Sequence, residues 1–424
     1  MNPRNSLFIA VLVLLLSSCT LNEADLFNMT ASERINKPLA DNISLLQSAK
    51  NGWAMEYFAT ETSPGYTLLM KFNTNGQVIV AGKNDLTMNY YITDSCFYRM
   101  IADDGPVLSF NTYNKVFHAF SNPVNPDGLG LGGDYEFIVM KSAPNQIELL
   151  GKKHGAHILL SRLDETVSWS KYFANLEQMN NILFGNSVQP LKLKSSVADY
   201  LFSAGNSHVF NYLQVGANVL NTSNASFVIT PSGIRFQTEQ HIAGFRVQTL
   251  NLNADKSALV SIENPDFKLI GPDSLSSFFA QNSNLFLMDT TTMSPTLKVI
   301  SRKIIKSCIA NYNAEKVWFT MQYQPALKVF GLALNFSIGK NRMIGTISMK
   351  CAVNADKQLT FTAGNALDMN GNEFVSMVDG LSDLKAYLAK QYTLSTTIPI
   401  NPTILRFEQS ANVANWFVLD ASVK

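Results

Sequence analysis

Apolar and polar residues alternate with a period of two along most of this chain. Tyr66, Leu68, Met70 and Phe72 lie on one side of a segment and Thr67, Leu69 and Lys71 on the other. Asn75-Gly76 then reads as a two-residue hairpin turn that returns through Val78 and Val80. Short runs of strand character follow at 106–110, 116–120, 135–140, 147–150 and 157–160, the last two separated by a turn at 151–155. The second half resumes at 227–230 and 234–236 around a Pro231-Ser232-Gly233 turn. It continues through Phe245, Val247 and Thr249, then 332–338, 347–353 and 359–361, and closes with a pair around Leu405 and Val418. So many short strands at close spacing predict antiparallel sandwiches or barrels, with a lipocalin-like barrel among the options.

Four intervals break that period. Thr30-Ala31-Ser32-Glu33 reads as a capping box, and Leu39, Ile43, Leu46 and Ala49 mark one helical face before Asn51-Gly52. Pro38 is expected to kink or restart this helix. A helical, polar interval over 164–200, with Trp169, Tyr172, Phe173 and Leu176 on one side, is expected to connect two halves. Ile300, Ile304, Ile305 and Cys308 recur at helical spacing in 297–309, and a short helix is expected at 382–391. A helix followed by a Trp and hairpins occurs twice, at Trp53 and Trp318, which suggests a duplicated module. The expected class is mainly β with a few helices (α+β): two antiparallel sandwich or barrel-like domains, 30–195 and 196–424, each preceded by a helix.

The N-terminus carries a different pattern. Arg4 precedes an apolar run at 7–16, too short to span a bilayer, and the run ends in Leu16-Ser17-Ser18-Cys19. This resembles a bacterial lipobox. Residues 1–18 are then a secretion signal, Cys19 the lipidated terminus, and 19–29 a tether that anchors the body to a membrane. Thr20 lies where an inner-membrane retention signal would place Asp, which favours the outer membrane, and Asn22, Glu23 and Asp25 resemble a surface-export tag. Charged residues make up 15% of the chain and hydrophobic ones 46%, which excludes disorder, and a net charge of +1 offers nucleic acid no basic surface. Beyond Cys19 only Cys96, Cys308 and Cys351 remain, an odd count that excludes a disulfide framework. Cys351 reads as a small buried hydrophobe, and a Cys308–Cys351 bridge stays open.

Chemical motifs are sparse. No HExxH and no GxSxG occurs, so no catalytic, metal or cofactor-binding residues are assigned. His154 and His157 flank a turn beside Lys152 and Lys153, whose charges oppose a cation, so they read as solvated turn residues. His118 shares an expected strand face with Val116 and Phe120 and reads as a core or rim histidine. The glycine-rich stretch 127–134 lacks the Lys and Ser/Thr of a phosphate loop and reads as a hairpin loop, and 368–373 reads as a turn. Tyr113, Tyr90 and Tyr91, near loops, together with His118, are the candidate binding residues, since flat rings stack on sugar faces or anchor partner proteins.

Several segments together resemble a known family: 30–35 (TASERI), Asn51-Gly52-Trp53 with Tyr57, Lys71-Phe72, 108–114 (LSFNTYN) with His118 and Phe120, 132–137 (GGDYEF) and Gly151-Lys152-Lys153. The family is that of domain of unknown function 4302, surface lipoproteins of glycan-degrading Gram-negative anaerobes that are often encoded near outer-membrane importers of the starch-utilisation type. The resemblance covers roughly residues 19 to 240. It implies an outer-membrane lipoprotein and brings no catalytic residues. The expected function is a non-enzymatic accessory of nutrient acquisition that binds a glycan or an importer component. The alternatives are a hydrolase with dispersed acidic residues and a structural or adhesive surface module.

Overall fold

The computed structural model describes residues 30–103, 105–123, 130–185, 190–204, 208–216 and 223–421. The signal, Cys19 and the tether lie outside the described residues. Three eight-stranded antiparallel sheets follow one another along the chain, and each closes on itself. The first runs from β1 (Trp53–Phe58) to β8 (His157–Arg162), closing where Trp53 pairs with Arg162. The second runs from β9 (Leu191–Leu193) to β16 (Lys268–Ile270), closing at Leu193 against Leu269. The third runs from β17 (Leu285–Met293) to β24 (Asn412–Asp420), where Leu287 meets Asp420. In every sheet each strand pairs with its sequence neighbours, an up-and-down order that leaves no free edge.

The β-rich expectation holds, but there are three β units rather than two, and none is a sandwich. The expected second domain, 196–424, holds most of two barrels, and β9 falls inside the interval expected to be helical and connecting. Three residues of strand give too weak an alternation to read, and β9 exists because β10 (Tyr200–Ser203) and β16 need a partner on each side. The helix of that interval is shorter, Trp169–Phe184 (α2). The helix expected over 297–309 runs Pro295–Tyr312 and lies between the first two strands of the third barrel, and the short helix Leu275–Gln281 precedes that barrel. Asp368, expected in a turn, caps the helix Met369–Met377 by accepting from Gly371 N.

The first helix, Ala31–Gln47 (α1), starts at the expected capping box: Glu33 N donates to Thr30 Oγ1 at 3.2 Å and Thr30 N to Glu33 Oε2 at 2.8 Å. It runs through Pro38 without a break and lays Leu39, Ile43 and Leu46 on the first core, with Trp53 Nε1 donating to the Leu46 carbonyl at 2.9 Å. The hairpin at 75–76 spans four residues, 73–76, because Asn73 N bonds Gln77 O and Gly76 takes φ +79°.

Aromatic and aliphatic side chains fill each barrel. Trp53, Tyr57, Phe110 and Phe137 are buried in the first, Phe210, Phe227 and Phe236 in the second, Phe330, Phe361 and Phe407 in the third. These interiors are cores rather than ligand-holding calyces. The three cysteines of the body are free. Burial pushes their thiols up, Cys96 and Cys308 to about 11 and Cys351 to about 12, which keeps them protonated and unreactive.

The barrels are joined. Glu56 on β1 meets Arg235 of the second barrel at 2.8 Å, with side chains only 12% and 19% exposed. His208 Nδ1 donates to the Gly65 carbonyl at 3.0 Å, and Gln237 Nε2 to Thr60 O at 3.2 Å. A side chain at Gly65 would lie 2.5 Å from the Phe227 carbonyl, so only glycine permits this approach. The third barrel reaches back through Ile400, which is buried in the second core, while Asn401 Nδ2 donates to the Gly185 carbonyl at 3.1 Å.

Candidate binding site at the mouth of the first barrel

Between β5 (Pro106–Phe110) and β6 (Glu136–Ala143), residues 111–123 and 130–135 fold over one mouth of the first barrel. Sequence alternation made 116–120 a strand, yet these residues form a turn that ends in a short 3-10 segment, His118–Phe120. The cause is Asn114: its Oδ1 accepts from Val116 N and Phe117 N, each at 3.0 Å, and its carbonyl accepts from His118 N. A side chain that satisfies successive backbone amides replaces the ladder a strand would need. The turn then drives Val116, Phe117 and Phe120 into the barrel, where Phe120 packs 4.6 Å from the Tyr57 ring, and leaves polar and aromatic groups outside.

Three rings line up on the outer side of this plug. Tyr113 and His118 have centroids 5.4 Å apart, and His118 and Tyr135 stack at 5.6 Å with an interplanar angle of 24°. Tyr113 is 61% exposed and Tyr135 48%, so the row presents ring faces and edges to solvent. Asn122 Nδ2 donates to the Tyr113 hydroxyl at 2.9 Å, which fixes that ring. His118 Nδ1 accepts the Asn114 N–H at 3.1 Å, and burial holds the imidazole below its ordinary value, so the neutral ring carries its proton on Nε2.

Beside the rings lies a crevice of about 780 Å³ lined by the loops after β1, β5 and β7, with Tyr135 on its wall. Its floor is built on Asp134. This buried carboxylate accepts from His154 N at 2.8 Å, Lys153 N at 3.2 Å and His154 Nδ1 at 2.9 Å, while the Asp134 carbonyl accepts from the Tyr57 hydroxyl. His154, expected to be a solvated turn residue, is thereby held by Asp134 with Nδ1 protonated, since a carboxylate only accepts. Glu136 accepts from Ser109 Oγ at 3.0 Å and lies 3.6 Å from Lys152 Nζ. Lys152 also pairs with Asp103, which holds its ammonium above the usual lysine range. The crevice therefore offers an imidazole, an ammonium and anchored carboxylates beside an aromatic row, a set that hydrogen-bonds hydroxyls while rings cover apolar faces.

Of the residues singled out from sequence, the fold brings Tyr113 and His118 together. Tyr90 and Tyr91 belong elsewhere: Tyr91 packs on Phe173 of α2 at 5.8 Å. Tyr135, Asp134 and His154 were missed as site residues, although GGDYEF and the Lys-Lys-His turn were both visible. Part of the glycine-rich stretch, 127–129, lies outside the described residues. Among those described, no group of three His, Cys, Asp or Glu side chains could hold a metal, and no helix is long and apolar enough to cross a membrane.

Comparison with known proteins adds one assignment. No curated protein matches the chain. Among solved structures, the DNA polymerase sliding clamp of Pseudomonas aeruginosa is 9% identical at a TM-score of 0.13, covering 91% of this chain and 97% of that one. The DNA polymerase III β subunit of Borrelia burgdorferi, in complex with a natural product, is 10% identical at 0.12, covering 92% and 96%. Superpositions this poor carry no argument about fold or function. The family model described as domain of unknown function (DUF4302) matches residues 23–254, which takes in α1, the whole first barrel with its plug and crevice, and the second barrel through β14 (Phe245–Leu252). Matched over more than half its length, with the candidate site inside the matched region, the chain belongs to the DUF4302 family.

Proposed function

We propose that this protein is a lipoprotein of the outer membrane, anchored through Cys19 at the cell surface, that binds a saccharide at the mouth of its first barrel as an accessory of glycan acquisition. The observation that carries the reading is the Tyr113–His118–Tyr135 row beside the Asp134–His154 crevice. Pyranose rings have one apolar face and a rim of hydroxyls, and this site pairs ring faces with fixed donors and acceptors. Both carboxylates of the crevice already accept hydrogen bonds that hold loops in place, which suits a rigid binding surface better than an acid that must cycle its proton. The filled barrels leave a loop surface, rather than an interior, as the place for a ligand. An importer component is the expected protein partner, and the membrane is reached through the lipid.

Titration calorimetry of the protein with a panel of neutral and acidic oligosaccharides tests this. At least one should bind saturably, and Tyr113→Ala or Tyr135→Ala should weaken it about tenfold, the worth of one aromatic contact. Absence of binding across the panel, or binding indifferent to both variants, overturns the reading. The anchor is tested separately by mass spectrometry of the membrane fraction, where Cys19 should carry diacylglycerol and Cys19→Ala should release the protein.

A further inference from the structure

A second crevice, of about 570 Å³, lies where the first barrel, the second barrel and α2 meet. Three features set it apart from an ordinary gap between units. First, side-chain amides line it from two directions: Asn84 and Asn89 from the loop after β3 (Gln77–Gly82), Asn180 and Asn181 from α2. Among the described residues the side-chain amides of Asn89, Asn180 and Asn181 have no hydrogen-bond partner, and Asn84 Nδ2 is buried with none. A buried donor without an acceptor is destabilising, so this one is poised for a ligand or water oxygen. Second, the charged groups of the crevice are already engaged: Lys83 pairs with Glu177 at 2.7 Å, and the Asp85 carboxylate accepts from the Tyr66 hydroxyl and the Leu86 amide. Third, Tyr66, Phe173 and Leu176 supply apolar surface between the amides, and Tyr91 stands against Phe173.

We propose that this junction is a second binding site, for one or two units of a neutral, polyhydroxylated ligand. An amide offers a donor and an acceptor on one planar group, which matches hydroxyls that do both. An anion would meet no unpaired cation here, and the one carboxylate without a cation, Asp85, already accepts hydrogen bonds from Tyr66 and Leu86. An extended peptide is recognised through a free strand edge, and closed sheets leave none. A sugar unit fits the volume, the uncharged amides and the aromatic wall together. The site stands on residues separate from the Asp134 crevice and does not depend on the reading given for it. Because its walls come from both barrels and α2, its ligand also clamps the Glu56–Arg235 junction.

The test uses the detergent-solubilised full-length protein, with maltotriose, cellotriose, mannotriose and chitotriose as probes. In a Tyr113→Ala/Tyr135→Ala background, which disables the first site, at least one trisaccharide should still bind saturably and raise the melting temperature. Adding Asn180→Leu/Asn181→Leu should lower that affinity at least tenfold while leaving the ligand-free melting temperature unchanged, since those amides have no partner to lose. Should the double substitution unfold the protein, Asn89→Ala on its exposed loop carries the same test. No trisaccharide binding in the Tyr variant, or binding equal in the Asn variants, overturns the second site. Binding abolished by the Tyr substitutions alone leaves the first site standing and removes this one.

Discussion

Asp134 shows how much of the candidate site hangs on one carboxylate. It sits at the start of β6, buried, and holds the turn after β7 (Gln146–Gly151) by accepting two backbone amides and one imidazole. Removing it leaves those donors unsatisfied, so Asp134→Ala should cost about 1–3 kcal/mol in urea unfolding, and more than Asp134→Asn, which keeps one acceptor. The same variant frees His154 from its fixed orientation, so saccharide affinity should fall together with stability. Sequence alone could not join Asp134 to His154. They are 20 residues apart, and only pairing of Phe137 with Gly151 brings them level. Tyr113 was legible as a loop aromatic, but a ring becomes part of a platform only when two others line up with it, and their alignment depends on the turn that Asn114 holds.

At the scale of elements, the plug built around 111–123 is where local pattern and tertiary structure part. Alternation at 116–120 was genuine, since Val116, Phe117 and Phe120 are buried, but apolar spacing in five residues does not separate a strand from a turn that inserts side chains. Phe120→Ala should lower stability by about 3–5 kcal/mol, the range for truncating a fully buried aromatic. It should also disorder the Tyr113–His118–Tyr135 row, read as lost saccharide binding, even though Phe120 touches no ligand. The capping box of α1 and the Pro231-Ser232 turn, by contrast, stood where the residues put them, because both are satisfied within a few residues. Pro38 did not break its helix. The apolar stripe packed on the first core outweighs one lost backbone bond.

At the scale of the whole molecule, the join between the first two barrels is the feature with the clearest energetic signature. Burial raises the Glu56 carboxyl above its ordinary value, against the pull of Arg235. Arg235→Ala leaves that carboxyl buried without its partner, and a loss of about 3–5 kcal/mol is expected near neutral pH. A carboxyl with a raised folded value favours the fold while protonated and loses that contribution as pH rises through the folded value. Without Arg235 the folded value climbs further. The deficit of Arg235→Ala relative to the parent should therefore be greatest at neutral pH and shrink as pH falls toward 4.5, as followed by thermal unfolding across that range.

The sequence by itself determined the β-rich class, the first helix and its cap, the closely spaced antiparallel hairpins, the absence of a disulfide framework and the family. Each of these is written in residues a few positions apart or in composition. Tertiary structure alone decided that there are three barrels, that they close, that Ile400 of the third fills the core of the second, and which aromatic residues share a surface. Closure is a pairing of the first strand with the last, more than 75 residues away in each barrel and more than 120 in the third. No local period encodes such a pairing. It is selected because a closed sheet satisfies every edge and buries one filled interior.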